Sequence, residues 1–345
     1  MKKILIGVCT LLLAVCTVTT LRAESVTVHL HTDASFSNPG GIMQRLETNL
    51  GALLTEINNA STAGRDLSLT GLNMNDYARN SLRELWQHVH FFCDDAEVFD
   101  RCWPMQQGYM VRQIPLIMDT QDADYNASRG VGAGGLYQEA VVEFDQQGRI
   151  SDFRFTFDTH RAESMERCGA SVTDMERRMQ ILSYCDRFRT AYCTKDLAYL
   201  QQVFSDDALI ITGKVVTARA SEMRPGSATI KYTQQTKKQY LANLANAFKR
   251  NKFIDVKFTE VGASGEGCGS ISQSVANPNY YGVRLRQEWR SSTYSDDGYV
   301  FLLWDFTDEA HPVIHVRTWQ PEYLDAGKTQ HIKEDDIFDL SKFDL

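Results

Sequence analysis

Residues 281–319 read YGVRLRQEWRSSTYSDDGYVFLLWDFTDEAHPVIHVRTW. Three runs here, Tyr281 to Ser291, Tyr299 to Phe306 and Val313 to Trp319, are rich in β-branched, aromatic and aliphatic residues and are short enough to be strands. The segment Ser295-Asp296-Asp297-Gly298 is expected to be the turn that folds the first two into a hairpin. Ile254 to Val261 supplies a fourth strand just upstream. A meander of long strands at the end of the chain therefore sets the fold, and what precedes it decides which fold.

What precedes it is helical. Ser171 followed by Asp174 reads as a cap for a helix whose Met175, Met179, Leu182, Phe188 and Tyr192 line one face. A short helix from Leu197 to Phe204 and the polar Ser205-Asp206-Asp207-Ala208 lead into the apolar strand Leu209 to Thr212. Thr236 and Gln239 then form a capping box for a helix carrying Tyr240, Leu241, Leu244 and Phe248. Helices gathered ahead of an antiparallel meander give an α+β class.

Further upstream the same order recurs in shorter form. Val26 to His31 alternates like a strand, and Ile42, Met43, Leu46, Leu50, Leu53, Leu54 and Ile57 recur at three and four residues on a helix. A second helix is expected from Asn75 to His88, and after it the period changes to two. Gly108 to Ile114, Tyr137 to Phe144 and Ile150 to Phe157 read as strands, the last two joined by Asp145-Gln146-Gln147-Gly148. The expected division is residues 24–160 for the first domain, 171–325 for the second and 326–345 for an acidic tail.

The second unit resembles the nuclear transport factor 2-like (SnoaL-like) cone. The resemblance is carried by the order of elements, by Cys185-Asp186-Arg187-Phe188 through Ala191-Tyr192 to Asp196-Leu197, and by Val203-Phe204-Ser205-Asp206-Asp207-Ala208-Leu209-Ile210. It covers about residues 171–322. It implies helices lying across a strongly curved antiparallel sheet with a pocket between them, and the first unit then reads as a diverged copy, making two cones in tandem. The whole also resembles two-domain proteins exported by gut bacteria, a family without an assigned activity. That likeness rests on Asp297-Gly298-Tyr299, Leu303-Trp304-Asp305-Phe306 and His315-Val316-Arg317-Thr318-Trp319-Gln320-Pro321.

Composition bounds the rest. The chain has 345 residues, 43% hydrophobic, with 7 Pro and 22 Gly. That excludes a disordered or collagen-like chain. The net charge is −8 with no basic run, so the electrostatic footprint of a nucleic-acid binder is missing. Residues 1–23 read as a secretory signal: Lys2 and Lys3, an apolar core too short for a membrane span, and Ala23 before the expected cut. Leu13-Ala14-Val15-Cys16 offers an alternative, lipid attachment at Cys16. Loss of Lys2, Lys3 and Arg22 leaves 33 basic against 44 acidic residues, a net charge of −11. In an oxidising compartment Cys93 and Cys102 are the candidate disulfide, on either side of an expected turn. Cys185 and Cys193, eight residues apart on one helix, are read as free thiols.

Chemistry-bearing residues are sparse. His88 and His90 are the most metal-like pair, since alternate strand residues share a face. An ordinary helix-to-strand junction explains them as well, and no HExxH or CxxC pattern supports a metal. No cofactor is expected. Tyr299 to Phe306 is apolar on both alternating faces, so its outer side is expected to meet the first domain or a second copy of the chain. Strict alternation places His315, Arg317 and Trp319 on one face of the neighbouring strand. With Tyr184, Phe188, Trp289 and Trp304 they form the expected ligand pocket, while an alternative pairs Arg317 with Asp305 or Glu288 and makes the tryptophans core. The cone resemblance implies an acid–base option in which Asp305 and His315 act with Tyr184 or Tyr192. The acidic tail, with Ile337, Phe338, Leu340 and Phe343, is expected to fold back on its own domain. The function these features suggest is an exported, non-enzymatic cell-envelope module that binds a small apolar ligand or a protein partner. The alternative is an isomerase- or cyclase-like enzyme.

Overall fold

The computed structural model describes residues 25–32, 39–105, 107–119, 136–156, 175–217, 228–261 and 270–343. The expected signal segment, with Cys16 and the cut at Ala23, lies outside these residues, as do the connector around 160–170, Cys168 and Cys268.

The first sheet is built from β1 (Thr27–His31), β2 (His90–Phe92), β3 (Glu97–Met105), β4 (Gly108–Asp119), β5 (Leu136–Phe144) and β6 (Ile150–Phe155). Its order is β1-β3-β4-β5-β6, with β2 also on β4 and β1 parallel to β3. Helices α1 (Ile42–Ala63) and α2 (Asp76–His88) cover one face. The three-four spacing read in α1 holds, and it buries Leu46, Leu50, Leu53, Leu54 and Ile57 against Val111, Ile114, Val142 and Phe153. Asn75 caps α2, its side chain accepting from the Ala78 N–H at 2.8 Å.

The second sheet contains β7 (Phe204–Thr217), β8 (Ala228–Gln235), β9 (Ile254–Glu260), β10 (Ile271–Gln273), β11 (Tyr280–Ser291), β12 (Ser295–Asp305) and β13 (Val313–Pro321). Its order is β10-β11-β12-β13-β7-β8, with β9 also on β11, and β13 runs parallel to β7. Helices α3 (Met175–Cys193), α4 (Leu197–Val203) and α5 (Lys237–Arg250) belong to this unit. The capping box at α5 is present: the Gln239 N–H donates to Thr236 Oγ1, and the Thr236 N–H to Gln239 Oε1. The protein is thus an α+β chain with two helix-covered mixed sheets. The sheets differ in where the parallel strand joins: the first strand pairs the start of the meander in one, and β7 pairs its last strand in the other.

Helix α3 lies between the two sheets and is buried on nearly all sides. Its Leu182, Cys185 and Phe188 belong to the second core, which also takes in Met110 of β4 and Val141 of β5. Its buried charged residues find partners, as buried charge requires, whereas the buried Thr190 hydroxyl has none among the described residues. Asp186 pairs with Arg112 at 2.9 Å, and Arg178 with Glu260 at 2.5 Å. Arg189 donates to the Phe155 carbonyl in the first sheet and the Val256 carbonyl in the second, at 3.1 and 2.8 Å. Beside them, Arg154 pairs with Glu143 at 2.7 Å and Asp152 at 2.6 Å and donates to Ser183, while Arg187 pairs with the same two carboxylates. Burial pushes the Glu143 carboxyl up, but Arg154 and Arg187 pull it down further, to about 2.

The outer side of β12 is covered by the tail. Phe301, Leu303 and Val316 form a third cluster under Phe338, Leu340 and Phe343, with Phe301 and Phe343 stacked at 5.3 Å. Gln320, fully buried, donates to the Asp336 carbonyl at 2.8 Å and accepts from the Phe338 N–H at 2.7 Å, which pins the tail to β13.

The Cys93–Cys102 disulfide is corrected: both thiols are free and buried. Phe92 sits opposite Ile117 and Cys102 opposite Val111, so the cysteines fall near opposite ends of β4. At about 3.3 Å per residue that is well over 10 Å, beyond the roughly 7 Å limit between Cα atoms for a disulfide.

Candidate functional site

In the second cone, α5, the concave sheet and the segment after β13 line an open cavity of about 1000 Å³. It is lined by Tyr240 and Leu244 of α5, Gln287 and Trp289 of β11, Asp296 of β12 and Arg317 and Trp319 of β13. The side chains arrive there by strand register. Trp289 lies opposite Asp296 on neighbouring strands, and Arg317 opposite Leu302. Gly298 makes room for the floor: a Cβ there would stand 2.9 Å from the Trp319 ring and would collide with the Gln320 carbonyl.

At the inner end, the Tyr192 and Tyr240 hydroxyls are hydrogen-bonded at 2.7 Å, and the Arg317 guanidinium lies 5.0 Å from the Tyr240 ring centroid. Tyr192 also hydrogen-bonds Arg317 and meets Trp289 edge-on at 5.7 Å. Arg317 is only 5% exposed, yet among the described residues its Nε and Nη1 and the Trp319 Nε1 have no hydrogen-bond partner. The rim is different. Arg290 pairs with Asp297 at 2.6 Å, and Lys328 with the same carboxylate at 2.7 Å.

Asp296 is the carboxylate of the cavity wall whose titration the fold raises. Burial pushes its carboxyl up to about 6, opposed by Tyr294 and by the charges of Arg317 and Arg290, and its Oδ1 has no partner among the described residues. A folded-state value above the ordinary 3.8 means that the folded chain holds this proton more tightly than the unfolded one. The resulting stability is fully present below about pH 4 and is lost as pH rises through 6. Asp296→Asn should therefore gain on the wild type by about 1–3 kcal/mol between pH 4 and 8, at about 1.4 kcal/mol per pKa unit. Thermal melts across that range check this, and parallel curves would contradict it. Asp100, raised by burial to about 7, adds a fall of the same sign in both proteins.

The expected pocket residues are distributed over several places. Trp289, Arg317 and Trp319 line the cone. Phe188 and Trp304 are fully buried core residues instead. Tyr184 lines a separate cleft of about 440 Å³ between the domains, with Tyr77, Glu143, Ser183, Arg187 and Glu309. His315 is not beside Arg317: a register shift between Ile314 and Val316 breaks the alternation. Its Nε2 lies 3.0 Å from Asp305, its ring packs on Tyr280, and neither His315 nor Asp305 lines the cone. The acid–base option built on those two residues is corrected accordingly. Arg317 pairs with neither Asp305, which holds His315, nor Glu288, which is paired with Arg286.

Two residues of the site escaped the sequence reading. The sequence places Asp296 in a turn, but the turn is Ser291 to Tyr294, closed by the Ser291 N–H on the Tyr294 carbonyl at 2.9 Å. Strand β12 therefore starts at Ser295 and carries Asp296 into the cone. In the sequence Tyr240 is one apolar position of a helix, and only the fold brings its hydroxyl to Tyr192. For His88 and His90, no group of three or more His, Cys, Asp or Glu suited to a metal exists among the described residues, and His90 stacks on Trp86 at 4.4 Å.

No family profile and no curated protein matches this chain. Among solved structures it is similar to nuclear transport factor 2-like proteins. One of unknown function from Shewanella oneidensis shares 14% identity over 41% of this chain and 98% of its own, with a TM-score of 0.30. A putative scytalone dehydratase from Novosphingobium aromaticivorans shares 10% over 42% and 83%, with a TM-score of 0.29. Naphthalene 1,2-dioxygenase with indole bound shares 8% over 50% and 92%, with a TM-score of 0.35.

Proposed function

We propose that this chain is an exported cell-envelope protein whose second domain binds a small, largely apolar ligand inside its cone. Export rests on the signal-like residues 1–23. The observation that carries the binding reading is the cavity itself: about 1000 Å³, walled by Tyr240, Trp289 and Trp319, with a few convergent polar groups at its inner end. Aromatic walls supply binding energy without polar desolvation, and the inner polar groups fix orientation. The two tryptophans also report occupancy. The neutral probe 2-(1-naphthyl)ethanol should quench tryptophan emission saturably in the wild type, and Leu244→Trp, which fills the cavity from α5, should abolish the effect. Equal quenching in both proteins would contradict the proposal.

An acid–base enzyme is the second reading, favoured by one observation. Asp296 combines a carboxyl raised to about 6 with a free oxygen at the cavity wall, the properties of a general base working near neutral pH. The two readings part at Asp296→Asn: ligand binding survives this change, whereas turnover does not.

A further inference from the structure

A cationic side chain that is 95% buried, short of two hydrogen-bond partners and turned toward a cavity is costly to keep unless something arrives to pair with it. Arg317 is in that position, and the unpartnered Trp319 Nε1 stands with it in the wall of the cone. We infer that the ligand of the cone is an aromatic or alicyclic monocarboxylate, its head on Arg317 and Trp319 and its apolar body between Trp289 and Tyr240. The inference rests on the cone-binding reading and adds the ligand's charge and head group to it.

Three features select this class. The guanidinium keeps two donors without a partner, Nε and Nη1, that a carboxylate can take as acceptor, while Tyr192 occupies the guanidinium by its own hydrogen bond. Arg317 is the buried cation among the described lining residues, whereas Arg290 and Lys328 are committed to Asp297 and Lys214 is exposed. Asp296, Asp297 and Asp325 also line the cavity, so a dianion such as a phosphate monoester brings one more negative charge than a monocarboxylate to a site that already holds three carboxylates. The flanking tryptophans and Tyr240 require a flat or compact apolar body rather than a sugar or a peptide chain.

The test is isothermal titration of the full mature chain with three probes of matched body: 1-naphthaleneacetate, 2-(1-naphthyl)ethanol and 1-naphthyl phosphate. The carboxylate should bind about tenfold or more tightly than the alcohol, as expected for a charge-assisted pair formed in a desolvated site. The phosphate should bind more weakly than the carboxylate. Arg317→Gln should bring carboxylate and alcohol within about twofold of each other. Arg317→Lys, which keeps the charge without the planar guanidinium, should fall between. Equal affinity for acid and alcohol in the wild type overturns the head-group assignment and leaves the cone-binding reading standing. Tighter binding of the phosphate overturns the monocarboxylate class. Binding of none of the three overturns both. The comparison among probes uses the wild-type protein alone, so it stands even if a variant fails to fold.

Discussion

Arg154→Met should destabilise the protein by about 3–5 kcal/mol, the cost of removing one partner from a buried ion-pair network. For a chain of this size that is a fall of roughly 10 °C in the thermal midpoint. The reason is local. Arg154, fully buried, is shared between Glu143 and Asp152 and reaches Ser183 of α3. Without it, two carboxylates are left to Arg187 alone, at the surface where the first sheet meets α3. Glu143→Gln added to Arg154→Met should restore part of the loss, because it removes the surplus negative charge. Calorimetry should also show the domains melting separately in the single variant, since the network joins them. A midpoint within 2 °C of the wild type would show that the network does not hold the domains together.

Removal of residues 333–345 should be as severe, with a different signature. The tail covers Phe301, Leu303 and Val316 and satisfies the buried amide of Gln320, and Glu334 pairs with Arg284 at 3.0 Å. Stripping it leaves an apolar sheet face in water and part of a buried polar group unpaired. The shortened chain should bind a hydrophobic dye and elute as larger species in size-exclusion chromatography with light scattering. An unchanged elution and no dye binding would mean that the tail is not the cover of that face.

Much of this architecture is legible in the sequence because it is written in short-range patterns. The period of α1, the Asn75 and Thr236 caps and the helices-then-meander order all depend on residues within a few positions of one another. What is not legible depends on pairing across the chain. Arg178, Asp186 and Arg189 look like ordinary solvated helix positions, since their partners Glu260, Arg112 and the Val256 and Phe155 carbonyls lie 34 to 82 residues away. The same holds at the site. Trp289, Arg317 and Trp319 could be placed together by alternation, but a single shift of register moved His315 away, and a turn closing four residues early brought Asp296 in. Period-two reasoning fails wherever one residue is inserted or a turn slides, because every side chain beyond that point changes face.

The central claim is that the second cone of an exported chain holds a small ligand. Native mass spectrometry of the protein purified from the envelope of its own host tests it most directly. The account predicts a chain beginning at Glu24 that carries one small molecule, released on collisional activation and absent from the Leu244→Trp variant. A wild-type chain as bare as the variant, or a molecule retained equally by both, would contradict it.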